Sequence, residues 1–411
     1  ELPTGINRAA EVFPLAITPY YASLIREAND SDPIWHMAVP QIQELFDPPF
    51  LKDDPLAEDR DMPVPGLVHR YSDRALLLVT LACATYCRYC TRKRVAGMRE
   101  TCIPTARLER AVQYLQNALD ILGENATLYA GLGLAYFQLA NLGIKQEEYL
   151  NKARKAREYV LKAFALDPGS AQAHAVTGYI CSLEGDIRLG ISHLKKAASS
   201  NPADPDTAVW LGWYYALMGK NSEAARFGEK ALQIDPVNST WRSISGVLDF
   251  FEGRFDLAAE HLREGYEMAP LVPMYKFWYA LSLAYVKRLR ESLSILDIDS
   301  ETSSSVDSFM KLGELLRASL RGEGEKISHL LTPDVQKIFK RDPQLSYHLA
   351  SFYSFLNQPT PALDWLENAI ERGICPYPLM EVDPFLANIR GEERFKKLME
   401  RVKYEWEHFE V

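Results

Sequence analysis

The sequence predicts a mainly α-helical fold: a solenoid of helical hairpins behind a small, irregular α/β segment. Three observations predict it. Ahead of residue 103 the prolines Pro33, Pro40, Pro48, Pro49, Pro55, Pro63 and Pro65 break any long helix. After it the chain reads as helix almost without pause. Within that helical part Pro168, Pro202, Pro236 and Pro270 recur every 34 residues, as do Gly178, Gly212 and Gly246, and Ala163, Ala197 and Ala231.

From the N terminus, Pro19–Asn29 and Pro40–Phe46 are the only stretches that look like short helices. Ala75–Thr80, ALLLVT, is a continuous apolar run of strand length, the kind that suits a buried parallel strand. A loop with three cysteines follows it. The repeat period then matches the tetratricopeptide repeat. Small residues at the recurring positions let the two helices of a hairpin approach closely. Each Pro, with Asp167, Asn201 or Asp235 before it, ends one helix and begins the next turn. An earlier repeat centres on Gly133 and Tyr136, with an insertion expected around Leu142–Leu150. Residues 307–341 are degenerate behind the lead ETSSSVD. A further repeat fits from Pro343, with Ala350, Tyr353, Ala362 and Ala369 in place, and DPFLANIRGEERFKKLMERV supplies a capping helix. This tail resembles the ends of repeat arrays in bacterial signalling proteins. The expected domains are an N-terminal segment, 1–116, and a solenoid with its capping helix, 117–411.

Composition narrows the function. Hydrophobic residues make up 47% and charged residues 25%, an ordinary globular balance. No apolar stretch is long enough to span a bilayer, and the opening ELPTGINRAAEVF carries no signal-peptide pattern. A net charge of −9 makes nucleic acid a poor expectation as partner. Six cysteines without a secretory leader point to a reducing cytoplasm rather than a disulfide framework. The chain opens on Glu1, which suggests that its start lies further upstream. No phosphate loop, kinase signature, nucleophile elbow or H-E-x-x-H occurs. His174, His193, His261, His329 and His348 show no ligand spacing, and Cys181 and Cys375 read as small buried residues. The aromatic positions Trp210, Trp213, Tyr214, Tyr215, Phe250, Phe251, Phe277, Trp278 and Tyr279 read as packing between helices.

Cys83, Cys87 and Cys90 form C-x3-C-x2-C within LACATYCRYCTRKR. Three thiolates so spaced can hold three corners of a cubane iron–sulfur cluster and leave the fourth iron open. A zinc site completed by Cys102 or His69 is the alternative. Between Ala75 and Met98 there is no Asp or Glu, while Arg88, Arg92, Lys93 and Arg94 are present. Such a field would stabilise thiolates and attract anions, and a solvated basic loop is the plainer reading.

The blocks TPYYASLI, DPI, DDPLAED, PVPGLVHRYSDR and CATYCRYCTRKRVAG, in this order, resemble the lysine 2,3-aminomutase family of radical S-adenosylmethionine enzymes. The likeness runs from about residue 10 to about residue 115. It implies that the N-terminal segment is the start of a radical-enzyme barrel. It further implies a [4Fe-4S] cluster on Cys83, Cys87 and Cys90, with S-adenosylmethionine chelated at the open iron. Tyr89 would sit near the adenine, Arg92 would take the substrate carboxylate, and Arg70 and Arg74 would lie near pyridoxal phosphate. The family's Gly-Gly-Asp segment and its cofactor lysine in a glycine-rich loop have no counterpart here, because the chain contains no Gly-Gly pair. The expected function is therefore a scaffold that binds a peptide or protein on its concave face, fused to an incomplete aminomutase start. The alternative is a lysine or glutamate 2,3-aminomutase-like isomerase whose barrel another chain completes.

Overall fold

The structure is a computed structural model. It describes residues 4–46, 48, 51–71, 74–78, 81, 83, 85–96, 105–141, 146–234, 239–268, 270, 272–297 and 308–411. Cys102, Pro236 and the lead at 301–307 lie outside the described residues. Contacts divide the chain into two compact units, Glu1–Gly123 and Glu124–Val411.

The first unit holds three short helices, α1 (Thr4–Val12), α2 (Pro19–Ser23) and α3 (Pro33–Ala38), a 3-10 turn at Ile42–Leu45, two strands and one long helix, α4 (Thr105–Leu122). Helix α2 ends at Ser23, short of the expected Asn29, and the expected helix at Pro40–Phe46 tightens to the 3-10 turn. Asp32 starts α3. Its carboxylate accepts the backbone N–H groups of Ile34 and Trp35, both at 2.9 Å, and that of Arg26 at 2.8 Å. The Trp35 and Arg26 N–H groups hold its pKa below the ordinary value.

Strands β1 (Leu67–Tyr71) and β2 (Arg74–Leu77) pair antiparallel, with Leu67 opposite Leu77 and Val68 opposite Leu76. The expected buried parallel strand at 75–80 is therefore corrected. Only two residues separate the strands, which permits a hairpin and excludes a crossover. Leu76 of β2 is 44% exposed rather than buried.

The second unit is a tetratricopeptide solenoid. Its hairpins pair α5 (Ala126–Asn141) with α6 (Gln146–Leu166), α7 (Ala171–Leu183) with α8 (Ile187–Ser200), α9 (Pro205–Leu217) with α10 (Asn221–Ile234), α11 (Ser239–Phe251) with α12 (Phe255–Met268), and α13 (Pro273–Tyr285) with α14 (Leu289–Asp297). Of the insertion expected around Leu142–Leu150, residues 146–150 fall within α6, which is 21 residues long, and residues 142–145 lie outside the described residues. The recurrent glycines explain the hairpin spacing. A Cβ at Gly178 would stand 2.6 Å from Leu194 Cγ and 3.0 Å from the Gly190 carbonyl. Gly246 would meet Leu262 at 2.6 Å in the same way. The turns of the four hairpins from α7 to α14 each hold one residue with positive φ, in the left-handed region: Gly185, Gly219 and Gly253, then Lys287 at φ 63°.

Beyond the regular repeats come α15 (Ser308–Leu320), α16 (Gly324–Leu330), α17 (Pro333–Arg341), α18 (Pro343–Phe355) and α19 (Pro359–Glu371). They are followed by α20 (Tyr377–Val382), a 3-10 turn at Pro384–Ile389 and the capping helix α21 (Glu393–Glu407). The array then closes on itself. Helix α18 is buried on every side, from Pro343 to Ser354. Its His348 ring packs edge-on against Phe277 and Trp278 of α13, at 5.3 and 5.2 Å. The segment after α19 runs back along the hairpin turns. Cys375 N–H donates to the Leu217 carbonyl at 3.0 Å, and Trp406 Nε1 donates to the Gly219 carbonyl at 2.9 Å. Asp383 fixes the same segment at α13. Its Oδ2 accepts the hydroxyls of Tyr347 at 2.6 Å, Tyr285 at 3.1 Å and Ser351 at 3.4 Å.

The nine aromatic positions are packing, as expected. Trp213 meets Phe251 and Trp278 at 6.2 and 6.0 Å, and Phe250 meets Tyr285 at 4.7 Å.

Candidate functional site

The cysteine loop is held from three directions. Tyr86 N–H donates to the Ala16 carbonyl at 2.8 Å, and Ile17 and Thr85 form an isolated antiparallel bridge. Arg88 N–H donates to the Met37 carbonyl at 2.8 Å. The Arg88 side chain is buried, 7% exposed, and works as a strut. Its Nε and Nη2 clasp both oxygens of Glu44 at 2.8 and 2.6 Å, and its Nη1 reaches the Phe13 and Pro14 carbonyls at 3.2 Å. The guanidinium also lies 4.5 Å over the Phe13 ring.

The basic field expected around the thiols is mostly paired. Arg92 makes a two-point contact with Glu58, Nε to Oε2 at 3.1 Å and Nη2 to Oε1 at 2.7 Å. Lys93 bonds Glu44, and Arg94 reaches Asp59 at 2.6 Å and Asp54 at 3.3 Å. Burial works to raise the pKa of Glu44. The hydrogen bonds from Arg88 and Lys93 outweigh it and hold the carboxyl below its ordinary value. Two of the blocks quoted above thus interlock: the DDPLAED block supplies the carboxylates that Arg92 and Arg94 of the cysteine loop use.

The thiols themselves are free. Cys83 is exposed and donates to the Thr85 carbonyl at 3.1 Å. Cys87 and Cys90 are half-buried, and the Cys90 sulfur accepts the Arg92 N–H at 3.4 Å. Three thiols in one loop, one already receiving a backbone donor, suit a cluster in kind. Their arrangement does not yet gather them. Among the described residues no three His, Cys, Asp or Glu side chains stand together as a metal-holding group. Loading such a site would therefore be coupled to a closing of the loop.

The other expected positions fall as follows. Tyr89 is 64% exposed, and its hydroxyl meets His36 Nε2. Arg70 Nη1 donates to the Leu56 carbonyl at 2.9 Å. Arg74 begins β2, and its side chain lies outside the described residues. Arg92, expected at a substrate carboxylate, has its fork filled by Glu58. His69, a possible zinc ligand, meets the Tyr114 hydroxyl through Nδ1 at 2.7 Å.

In the solenoid a small cavity of about 290 Å3 opens beside the second, fifth and ninth positions of α7, which are Gln172, Ala175 and Tyr179. Asp204 and Asp206 border it. Burial and the neighbouring Asp204 raise the pKa of Asp206. Further along the groove the corresponding Phe277 and Leu281 are buried at 1% and 0% exposure, so there the face is filled from within. The sequence also hid one pair. His174 and His193, 19 residues apart, meet through their Nδ1 atoms at 2.9 Å across the α7–α8 hairpin. Their spacing is the distance from one helix to its hairpin partner, a signal that a search for short ligand motifs passes over.

Fold and site together define a class: a tetratricopeptide solenoid that carries a short N-terminal segment with a three-thiol loop. No family model matches the chain. The N-terminal part resembles lysine 2,3-aminomutases. The chain is 47% identical over 117 residues to L-lysine 2,3-aminomutase of Acetoanaerobium sticklandii, which covers 28% of this chain and 28% of that protein. It is 49% identical over 111 residues to the enzyme of Fusobacterium nucleatum, covering 27% and 26%. Glutamate 2,3-aminomutase of Clostridioides difficile is 34% identical over 117 residues, 28% of this chain and 27% of that protein. The chain thus spans about a quarter of the length of the curated relatives it matches. Among solved structures, pilF of Pseudomonas aeruginosa aligns with a TM-score of 0.38 and 17% identity, over 52% of this chain and 96% of that one. A thermophilic tetratricopeptide protein of Thermus thermophilus aligns with a TM-score of 0.36 and 21% identity, over 44% and 92%. Among the described residues no helix is long and apolar enough to cross a membrane.

Proposed function

We propose that this chain is a protein-interaction scaffold of the cytoplasm, built on the repeats from residue 117 onward and fused to an incomplete aminomutase start, residues 1–116. The observation that carries the scaffold reading is the cavity beside Gln172, Ala175 and Tyr179, on the face where such arrays take extended ligands. Its apolar floor and its two bordering carboxylates suit a short peptide with an apolar side chain and a positive charge. Because α18 fills the groove further along, the peptide site is confined to the first hairpins. The test is selection from a displayed peptide library, then titration of the selected peptides. Tyr179→Ala and Asp206→Asn should each weaken binding by about tenfold, the scale of one lost charge-assisted or aromatic contact. Peptides that bind both variants as well as the parent would refute the site.

In the N-terminal segment Cys83, Cys87 and Cys90 would hold a [4Fe-4S] cluster. When bound, that group supplies one-electron chemistry toward S-adenosylmethionine. Arg88 keeps the loop seated, and the Arg92 N–H steadies the Cys90 sulfur. Anaerobic reconstitution with iron and sulfide should give a broad absorbance near ~400 nm. Replacing all three cysteines by Ala should abolish it, and replacing Cys181 and Cys375 should not.

A second reading, a 2,3-aminomutase-like isomerase completed by another chain, is favoured by the 47% identity of one short stretch. In it Tyr89 would flank S-adenosylmethionine, and Arg70 and Arg74 would face pyridoxal phosphate. Arg92 would have to exchange Glu58 for the substrate carboxylate. The chain alone should make no β-amino acid from lysine or glutamate, because positioning supplies much of the rate. Stoichiometric product from the purified single chain would replace the scaffold reading with this one.

A further inference from the structure

Where the last hairpins return to the first, the seam forms an open cleft of about 640 Å3. Six cations line it. Arg154 and Arg157 come from α6, Lys337, Lys340 and Arg341 from α17, and Arg372 from the end of α19. One carboxylate, Glu184, faces them, and it is already paired with Arg157. This concentration of positive charge stands in a chain whose net charge is −9.

The seam is built rather than incidental. The Arg341 guanidinium lies 3.5 Å over the ring of buried Tyr149. Nε and Nη2 of Arg372 donate to the Arg341 carbonyl at 3.1 and 2.9 Å, which fixes the end of α17 against α19. Among the described residues no carboxylate stands within ion-pair distance of Arg154 or Arg341. Burial pulls the pKa of Arg341 down from its ordinary value, although the group stays charged. Lys337 pairs with Asp334 at 3.4 Å and the buried Asp342 acts on Arg341 and Arg372, yet six cations from both ends of the array face one another across the cleft against one lining carboxylate. Like charges so placed repel, and a bound anion would relieve that cost.

We propose that this seam is a binding site for a small molecule bearing a phosphate or diphosphate group, which clamps the last hairpins onto the first. Guanidinium forks match phosphate oxygens two at a time. The volume lies in the range of small-molecule pockets, a size that suits a compact ligand. Leu150 and Ala153 add a short apolar wall for the organic part of the ligand.

The test is calorimetric titration of the full chain with inorganic pyrophosphate, ionic strength being held constant with potassium chloride. Saturable binding at one site is expected, with a rise in melting temperature on ligand addition. Arg154→Gln and Lys337→Gln replace exposed side chains, so the fold should survive, as circular dichroism will check. Each should weaken binding by about tenfold, and Arg341→Met by more. Arg263→Gln, on α12 and outside the cavity, should leave binding unchanged. Adenosine triphosphate should bind at least as well as pyrophosphate if the apolar wall is used. Absence of saturable binding would overturn the proposal, as would binding indifferent to Arg154 and Lys337. Tighter binding of single-stranded RNA through the same residues would replace the small molecule with a polymer.

Discussion

The two units hold their backbones by different means. Ahead of α4 the buried apolar side chains among the described residues are Ala9, Phe13, Ala38, Val39, Leu67 and Val68. Around them the segment is tied by ion pairs and caps, Arg88 to Glu44, Arg92 to Glu58 and Asp32 to four backbone N–H groups. The repeat unit is tied by contact between apolar surfaces, with Trp278, Tyr214, Phe250 and Phe277 almost wholly buried. The difference teaches where each unit is vulnerable. A few directional bonds fail together when one partner is removed, whereas a distributed core loses stability in increments.

The largest expected effect lies in the first unit. Arg88→Ala leaves Glu44 with only Lys93 and the Gln41 N–H as partners and strands the Phe13 carbonyl, a loss of about 1–3 kcal/mol for each buried group left short of a donor. That exceeds what a segment with so small a core should tolerate. Amide exchange over residues 13–46 and 85–96 should accelerate to that of an unfolded chain while the repeats keep their melt. Protection retained in this variant would show that the first unit does not depend on its strut.

Asp383→Ala tests whether the repeat unit contains a comparable knot. It orphans the hydroxyls of Tyr347 and Tyr285, at about 1–3 kcal/mol each. Urea unfolding should move to a lower midpoint with the fold retained. Global unfolding would make the two units alike.

Acid should separate them further through His348. This buried side chain has its pKa lowered by burial to about 3. Below about 6.5 the unfolded chain takes up a proton that the folded chain refuses. Stability of the repeats should therefore fall by about 1.4 kcal/mol per pH unit between pH 6.5 and about 3. In His348→Gln that portion of the slope should vanish. An unchanged slope would assign the acid sensitivity to other groups.

The smallest effect is at a turn. Lys287 occupies the left-handed conformation that Gly185, Gly219 and Gly253 occupy in the other hairpins. Lys287→Gly should raise stability by up to about 1 kcal/mol, read as a small rise in the melting temperature. A fall would mean that the Lys287 side chain makes contacts outweighing its backbone cost.

What was legible follows the same division. The hairpins could be read from Pro168, Gly178, Ala163 and their successors, because each repeat meets mainly its neighbours and its ends are set locally. The turn glycines at 185, 219 and 253 carried the same period, and with Lys287 after them they belong to the same signal. Burial of α18 was not legible. It depends on how far the stacked hairpins curve, a sum of small rotations that no single repeat encodes. In the first unit the three cysteines stood out as a motif. The neutralising partners of Arg88, Arg92 and Lys93 did not, because Glu44 and Glu58 lie 34 to 49 residues away in sequence. The strand at 74–77 was misjudged for a related reason: an apolar run does not reveal whether a second layer exists to cover it.

The return of residues 373–406 along the hairpin turns has a consequence for how the chain is made. A ribosome completes the hairpins from α7 to α14 well before the segment that seals them emerges. During that interval Tyr285 lacks the Phe385 ring that stacks on it at 4.5 Å, and Gly219 lacks its Trp406 partner. Chains cut short after α14 would keep both uncovered permanently, which makes them natural clients of chaperones and proteases. The seal thus acts late: until the residues through Trp406 have emerged, the turns they cover stay open.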